Sequence, residues 1–147
     1  MTTEPTIAAN VQQVVPLFLV SSMEHSRAFY EGGLGFTMTN RWIDEGVLRW
    51  CWLQLGGAAV MLQEMKEGHP ARKERLGLGV SMNFTCADAP LLYRQLRERG
   101  IEVQRPFVGN GMWVVSVKDP DGYDLHFQSI TSVPEETEYS EAEHGRP

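Results

Sequence analysis

The sequence predicts an α+β fold of two tandem βαβββ modules, a curved mixed sheet around a groove with the helices on its outer face. Three observations predict it. A strand-like apolar run followed by a capped helical segment occurs twice, about 65 residues apart. Each copy is followed by three further runs of strand character. The final two strand runs of each copy are joined by a short turn rich in glycine, or in proline and glycine. A duplicated unit of this kind implies two small sheets, each covered by a helix on one side, with their other sides turned toward a common groove.

Taken in order, the first strand run is Val14 to Val20 (VVPLFLV), and Ser22 is placed to cap the helical segment MEHSRAFYEGGLGF, which ends in glycines. Strand runs at Phe36 to Ile43, Val47 to Leu55 and Ala58 to Glu64 follow. Gly56-Gly57 between the last two suits the positive φ angles of a tight hairpin. The second module opens with Gly79 to Cys86 (GVSMNFTC). Asp88 caps APLLYRQLRERG, whose Leu92, Tyr93 and Leu96 make an apolar stripe and whose Gly100 is the stop. Runs at Ile101 to Arg105, Met112 to Lys118 and Tyr123 to Ser129 complete it, the last two joined by Asp119-Pro120-Asp121-Gly122. The modules thus fall at about 13–65 and 79–130 of a domain spanning 13–132, between an N-terminal arm, 1–12, and an acidic C-terminal tail, 133–147.

Charge narrows the function classes. The 147 residues hold 19 acidic and 13 basic side chains, a formal net charge of −6, so the chain offers phosphate backbones and anionic lipid no general attraction. About −4 of this belongs to the segment from Pro134 to Pro147, where five glutamates face the single Arg146. That segment is expected to be mobile or loosely docked, because it has little apolar surface to offset the entropy of ordering it. No apolar run approaches the roughly 18 residues of a bilayer span, and the first residues lack a basic and an apolar signal region, which predicts a cytoplasmic protein. Cys51 and Cys86 lie in apolar stretches without a CxxC pair and are expected to be buried free thiols.

Alternation along the strands assigns faces. Met82, Phe84 and Cys86 suit the helix-covered side, leaving Ser81, Asn83 and Thr85 opposite. Leu125 and Phe127 likewise leave Asp124, His126 and Gln128 on the open side, and Cys51, Leu53 and Leu55 leave Trp50, Trp52 and Gln54 there. In Ala58 to Glu64 the pattern does not decide the face. Trp113 follows the segment Phe107 to Gly111, read as a loop at the groove mouth. The candidate ligand-binding residues are therefore Trp50, Trp52, Asn83, Phe107, Trp113, His126 and Gln128, an aromatic wall with a few convergent polar groups. For each Trp the plain alternative is core or dimer packing. For His126 it is a hydrogen bond to Asn83 or Gln128 with no chemical role; the functional readings are a ligand contact or a general base, with Glu64 or Asp124 to orient it.

Four fragments in order carry a resemblance: SRAFYEGGLGF at Ser26 to Phe36, GGAAVML at Gly56 to Leu62, RERGIEV ending the second helix, and VKDPDGYDLHF at Val117 to Phe127. Together they resemble the vicinal oxygen chelate superfamily of glyoxalase I, extradiol dioxygenases and bleomycin-resistance proteins. The resemblance implies the paired βαβββ fold and, in the catalytic members, a divalent metal held by His, Glu or Gln from the first, fourth, fifth and eighth strands. Carried over, those positions fall at about Val15, at Leu62 with Gln63 beside it, at Ser81 and at His126. His126 alone is a strong ligand, and Glu64 is the other weak metal candidate, so no metal and no cofactor are expected. In this respect the chain is most similar to the bleomycin-resistance branch, whose last strand similarly carries a His-Phe pair without a metal set. The implied function is metal-independent binding or sequestration of a small, partly aromatic organic molecule, as in antibiotic resistance, by a homodimer with neither nucleic acid nor membrane as partner. Two alternatives stand beside it: a metal-dependent lyase or dioxygenase of the same superfamily, and a metal-free enzyme using His126 for proton transfer.

Overall fold

Two four-stranded mixed sheets with the same strand order position everything else. The computed structural model describes residues 3–145. In the first sheet, β1 (Leu17–Val20), β2 (Thr37–Asp44), β3 (Val47–Leu55) and β4 (Ala58–Glu64) are ordered β1-β4-β3-β2, with β1 parallel to β4 and the other pairs antiparallel. In the second, β5 (Ser81–Thr85), β6 (Phe107–Gly109), β7 (Met112–Lys118) and β8 (Asp124–Ile130) are ordered β5-β8-β7-β6, again with one parallel pair, β5 with β8. The internal duplication read in the sequence is thus present in the topology. The ends of the arm and tail, residues 1–2 and 146–147 with Arg146 among them, lie outside the described residues.

After a short N-terminal helix, α1 (Ile7–Asn10), the first module's helix, α2 (Met23–Arg27), starts where the Ser22 hydroxyl accepts the His25 N–H at 3.2 Å, and widens into a π-helical turn over Ala28–Gly33. The second module's helix, α3 (Ala89–Glu98), starts where the Asp88 carboxylate accepts the Leu91 N–H at 3.1 Å. Both caps satisfy amides that the helix itself leaves without partners. At Gly33 the modules come close: a Cβ there would lie 2.8 Å from Ile101 Cδ1, and the Arg99 guanidinium donates to the Gly33 carbonyl at 2.7 Å.

The helix-covered faces of both sheets merge into one core. Phe18 stacks on Tyr123 with ring centroids 4.4 Å apart, Phe36 meets Phe84 edge-on, and Phe84 stacks on Phe127 at 4.7 Å. The Asp119–Gly122 turn adds polar staples. Tyr30, fully buried, donates to the Asp119 carboxylate at 2.8 Å, Tyr123 donates to the Leu19 carbonyl at 2.9 Å, and the Ser21 N–H reaches the Asp121 carboxylate at 3.1 Å.

Two strand expectations need correction, and one hairpin is irregular. β1 begins at Leu17 rather than Val14. Residues 101–105 form no strand beyond a single bond from Gln104 N–H to the Ser116 carbonyl; the sixth strand is Phe107–Gly109, after Pro106, so Phe107 stands in a strand and not in a loop. The β2–β3 hairpin turns through Glu45 and Gly46 at φ 50° and 74°, then carries two bulges. Ile43 faces Leu48 but Trp42 faces Trp50, leaving Arg49 extra; Met38 faces Leu53 but Asn40 faces Trp52, leaving Thr39 extra.

The acidic tail is docked, contrary to the expectation of a mobile or loosely held segment. Val108 N–H donates to the Thr137 carbonyl at 2.9 Å, Glu136 N–H to the Val108 carbonyl at 2.8 Å and Tyr139 N–H to the Pro106 carbonyl at 2.8 Å, so the segment covers the outer edge of β6. The Glu135 carboxylate accepts the Asn110 and Gly111 amides of the β6–β7 turn. Tyr139 is buried against Tyr93 and Trp113, and Arg94 donates to its hydroxyl at 3.0 Å. Hydrogen bonding along an otherwise bare strand edge supplies what the sparse apolar content does not.

Candidate functional site

The chemistry-bearing candidates sit on the open faces of the two sheets. On the first, cross-strand pairing places Trp50 between Trp42 and Gln63, and Trp52 between Asn40 and Met61. Leu17 and Leu19 of β1 extend this face beside Met61 and Gln63. The Trp52 indole N–H donates to Gln54 Oε1 at 2.9 Å. Trp50 and Trp52 are half-buried, Trp42 is 55% exposed and Leu17 43% exposed. The result is an uncovered face of three indoles and aliphatic side chains.

The open face of the second sheet is polar. Asn83, His126 and Ser116 lie side by side across β5, β8 and β7, with Thr85, Gln128 and Val114 in the next row. His126 Nδ1 is hydrogen-bonded to the Ser116 hydroxyl at 2.8 Å, not to Asn83 or Gln128 as expected. Those two bond each other, Gln128 Nε2 to Asn83 Oδ1 at 3.0 Å. Fixing Nδ1 on Ser116 orients the ring and leaves Nε2 as its available atom. A cavity of about 240 Å³ opens against it, bounded by Gln104, Ser116, Lys118 and Asp124 among others, all from the second module. The Lys118 ammonium beside Asp124, 2.5 Å away, holds that carboxyl below its ordinary range.

Phe107 faces Val114 and so joins the far edge of this surface, 45% exposed. Trp113 does not: it shares a face with Val115 and Val117, is 5% exposed, and packs edge-on to Tyr139 and to the His144 ring. The parity of Trp113, Val115 and Val117 in the sequence already carries that signal. Trp42 was not among the sequence candidates; counting back from the Glu45-Gly46 turn without a bulge would set it opposite Arg49, on the covered side. The bulge at Arg49 brings it round to Trp50.

The residues do not fit a metal centre. Glu64 shares the covered face with Val60 and Leu62, and its carboxylate accepts the Met23 N–H at 2.8 Å at the start of α2. It therefore serves a helix end in the first module while His126 stands on the open face of the second. Leu62 is buried, Val15 precedes β1, and Asp124 is tied to a lysine. Among the described residues no group of three or more His, Cys, Asp or Glu side chains is placed to hold an ion. Cys51 is buried, and burial pushes its thiol up to about 11; Cys86 is half-buried and its thiol is raised for the same reason. Both are free. Among the described residues no helix is long and apolar enough to cross a membrane.

Comparison with known proteins agrees with the topology. No curated protein matches the chain by sequence. Among solved structures, an antibiotic-binding protein, TnmS3 from Streptomyces sp. CB03234, superposes with a TM-score of 0.65 at 20% identity over 83% of this chain and 98% of its own. A bleomycin-binding protein complexed with bleomycin gives 0.63 at 24% identity, covering 81% and 98%. A glyoxylase/bleomycin resistance protein/dioxygenase domain from Frankia sp. EAN1pec gives 0.65 at 19%, covering 82% and 99%. At these identities the likeness is one of fold. The family model of the glyoxalase/bleomycin resistance protein/dioxygenase superfamily matches residues 11–127. With four fifths of its length inside that match, from before β1 into β8, the chain belongs to the glyoxalase/bleomycin resistance protein/dioxygenase superfamily.

Proposed function

We propose that the protein binds and sequesters a small, partly aromatic organic molecule without a metal, as a cytoplasmic homodimer, in the manner of an antibiotic-resistance protein. The observation that carries this reading is the uncovered face of Trp42, Trp50, Trp52 and Met61. A sheet face of that composition is costly in water unless something covers it, and indoles stack well on planar molecules. The second face supplies what such a face lacks, oriented hydrogen-bonding groups at His126 Nε2, Asn83 and Gln128. The cavity against His126 is lined by the second module alone. In the proposed homodimer a site using both kinds of face draws them from two copies of the chain. Two free thiols fit a reducing compartment. The fold neighbours described by name as binding an antibiotic and as holding bleomycin support the ligand class.

The test is a tryptophan-fluorescence titration against planar and cationic organic compounds, with Trp50→Phe and Trp52→Phe alongside and with sedimentation to give the mass of the bound species. The proposal expects saturable quenching by at least one compound, weakened tenfold or more in either variant, at dimer mass. Absence of quenching, or stoichiometric transition metal surviving dialysis, overturns it. A second reading, proton transfer by His126, is favoured by the Ser116 bond that orients the ring. It requires turnover of the bound compound that His126→Ala abolishes while binding persists.

A further inference from the structure

A chamber of about 730 Å³ lies between the β3–β4 hairpin and α3, apart from the tryptophan face and from the cavity against His126, with Asn83 and Thr85 at the edge of the polar face reaching it. Leu55 and Ala58 of the hairpin make one wall, Leu91 and Leu92 of α3 another, and the stacked pair Phe84 and Phe127 meets it from the sheet. Its size falls within the range of roughly 300–1,000 Å³ typical of small-molecule sites. The lining is mainly apolar. Of its ionisable groups, Asp88 is engaged at 3.1 Å as the cap of α3, and the Cys86 thiol is raised by burial and so neutral. Polar capacity comes from the main chain. β5 is the outermost strand and pairs with β8 alone. Cys86 N–H donates to the Gln128 carbonyl at 2.7 Å. In a parallel pair alternate residues turn to the partner, so Phe84 and Cys86 face β8 while the amides and carbonyls of Asn83 and Thr85 lie along the free edge. Both residues line the chamber.

We infer that this chamber is a second small-molecule site, separate from the tryptophan face, which takes a neutral, planar aromatic molecule carrying a hydrogen-bonding group on its edge. The apolar walls and the half-buried ring of Phe84 favour a flat hydrocarbon body. The lining holds no basic side chain, and its one carboxylate, Asp88, is exposed to solvent as the cap of α3, so an anion would lose its hydration without an opposite charge to meet it. The free edge of β5 supplies the directional contact that an apolar cleft otherwise lacks. The hairpin wall is built on Gly56-Gly57, with Gly56 at φ +55°, which fixes the position of Leu55 relative to Ala58.

The probe is N-phenyl-1-naphthylamine, neutral and aromatic, added to the full chain. The expected result is saturable binding of one equivalent per chain and at least fivefold slower modification of Cys86 by a water-soluble thiol reagent, read by peptide mass spectrometry. Leu92→Trp fills the chamber from the helix and Ala58→Phe from the hairpin. Each is checked by circular dichroism, and the folded one of the two decides if the other does not fold. Both are expected to weaken probe binding tenfold or more, with Lys73→Ala, outside the chamber and both open faces, unchanged. Unsaturable binding, an unchanged Cys86 rate, or wild-type affinity in a folded filling variant overturns the proposal. Loss of binding in Trp50→Phe with retention in Leu92→Trp also overturns it, by moving the probe to the tryptophan face.

Discussion

The two modules share a topology and differ in what they expose. The first ends its sheet in β2, a bare edge strand whose Trp42 and Ile43 stand half out in solvent, and its open face is aromatic. The second ends its sheet in β6, whose edge is closed by the chain's own residues 135–139, and its open face is a row of Asn, His, Ser and Gln. Their helices diverge as well: α3 is regular over ten residues, while α2 gives way after five to a π-helical turn. A duplicated backbone plan therefore constrains the covered faces, which must pack together, and leaves the open faces and edges to diverge toward separate tasks. In the function proposed above those faces carry the binding, and their freedom to diverge is consistent with one scaffold hosting binders and enzymes alike.

The largest effect that would break the comparison is at the closed edge. Tyr139→Ala should cost about 3 kcal/mol in urea unfolding, because it empties a buried aromatic position beside Tyr93 and Trp113; an unchanged midpoint would mean that the strap is not part of the second module's core. Tyr30→Phe tests the seam between modules. It leaves one buried carboxylate oxygen of Asp119 without its hydroxyl donor, at about 2 kcal/mol. Burial and the Asp119 carboxylate hold the Tyr30 phenol well above its ordinary value of 10.0, so the folded state keeps a proton that the unfolded chain releases. That stabilisation is fully present below the ordinary value and is lost as pH rises above it; Tyr30→Phe should remove this alkaline loss.

Smaller effects sharpen the division of labour. Glu64→Ala should cost about 1 kcal/mol through the start of α2 and leave any bound compound's affinity unchanged; a metal-dependent change in affinity would restore Glu64 to a site. Desolvation raises the Asp119 carboxyl, so its contribution is fully present below the ordinary carboxylate value of 3.8 and is lost as pH rises through the raised one. Asp119→Asn should accordingly flatten the fall of stability as pH rises above the ordinary carboxylate value, read as the urea midpoint. The gentlest probe is alkylation. Cys86, half-buried, should react at mildly alkaline pH in the folded protein, and Cys51, fully buried, should react only on unfolding.

Much of the fold was legible because it rests on local chemistry. Ser22 and Asp88 cap the helices as their positions imply, and Gly56-Gly57 and Asp119 to Gly122 turn the chain where their conformational preferences require. Trp50, Trp52, Asn83, His126 and Gln128 fell on the open faces because strand alternation has a period of two and no irregularity intervenes in β3 after Trp50, in β5 or in β8. What was not legible depends on registry or on distant segments. A single added residue, Arg49, reverses the side on which Trp42 emerges. The partner of His126 is set by which residue of β7 lies opposite it, and Ser116 is ten positions away in the chain. The tail reads as too polar to dock because its partners, the β6 edge amides and the ring of Trp113, are invisible in its own composition.

The turn at Asp119–Gly122 has a consequence for how the chain is made. Its staples join residues separated by 89 positions at Tyr30–Asp119, 100 at Ser21–Asp121 and 104 at Leu19–Tyr123. Contacts of such range are slow to form, because loop closure must come before they give any stabilisation. During synthesis the first strand emerges early, yet its fastening to the second module waits until the last turn of the second sheet has left the ribosome. For most of translation the first module thus has β4 to pair with β1 but no partner for the outward contacts of that strand, and the finished protein should melt in one cooperative step, with neither half surviving the other.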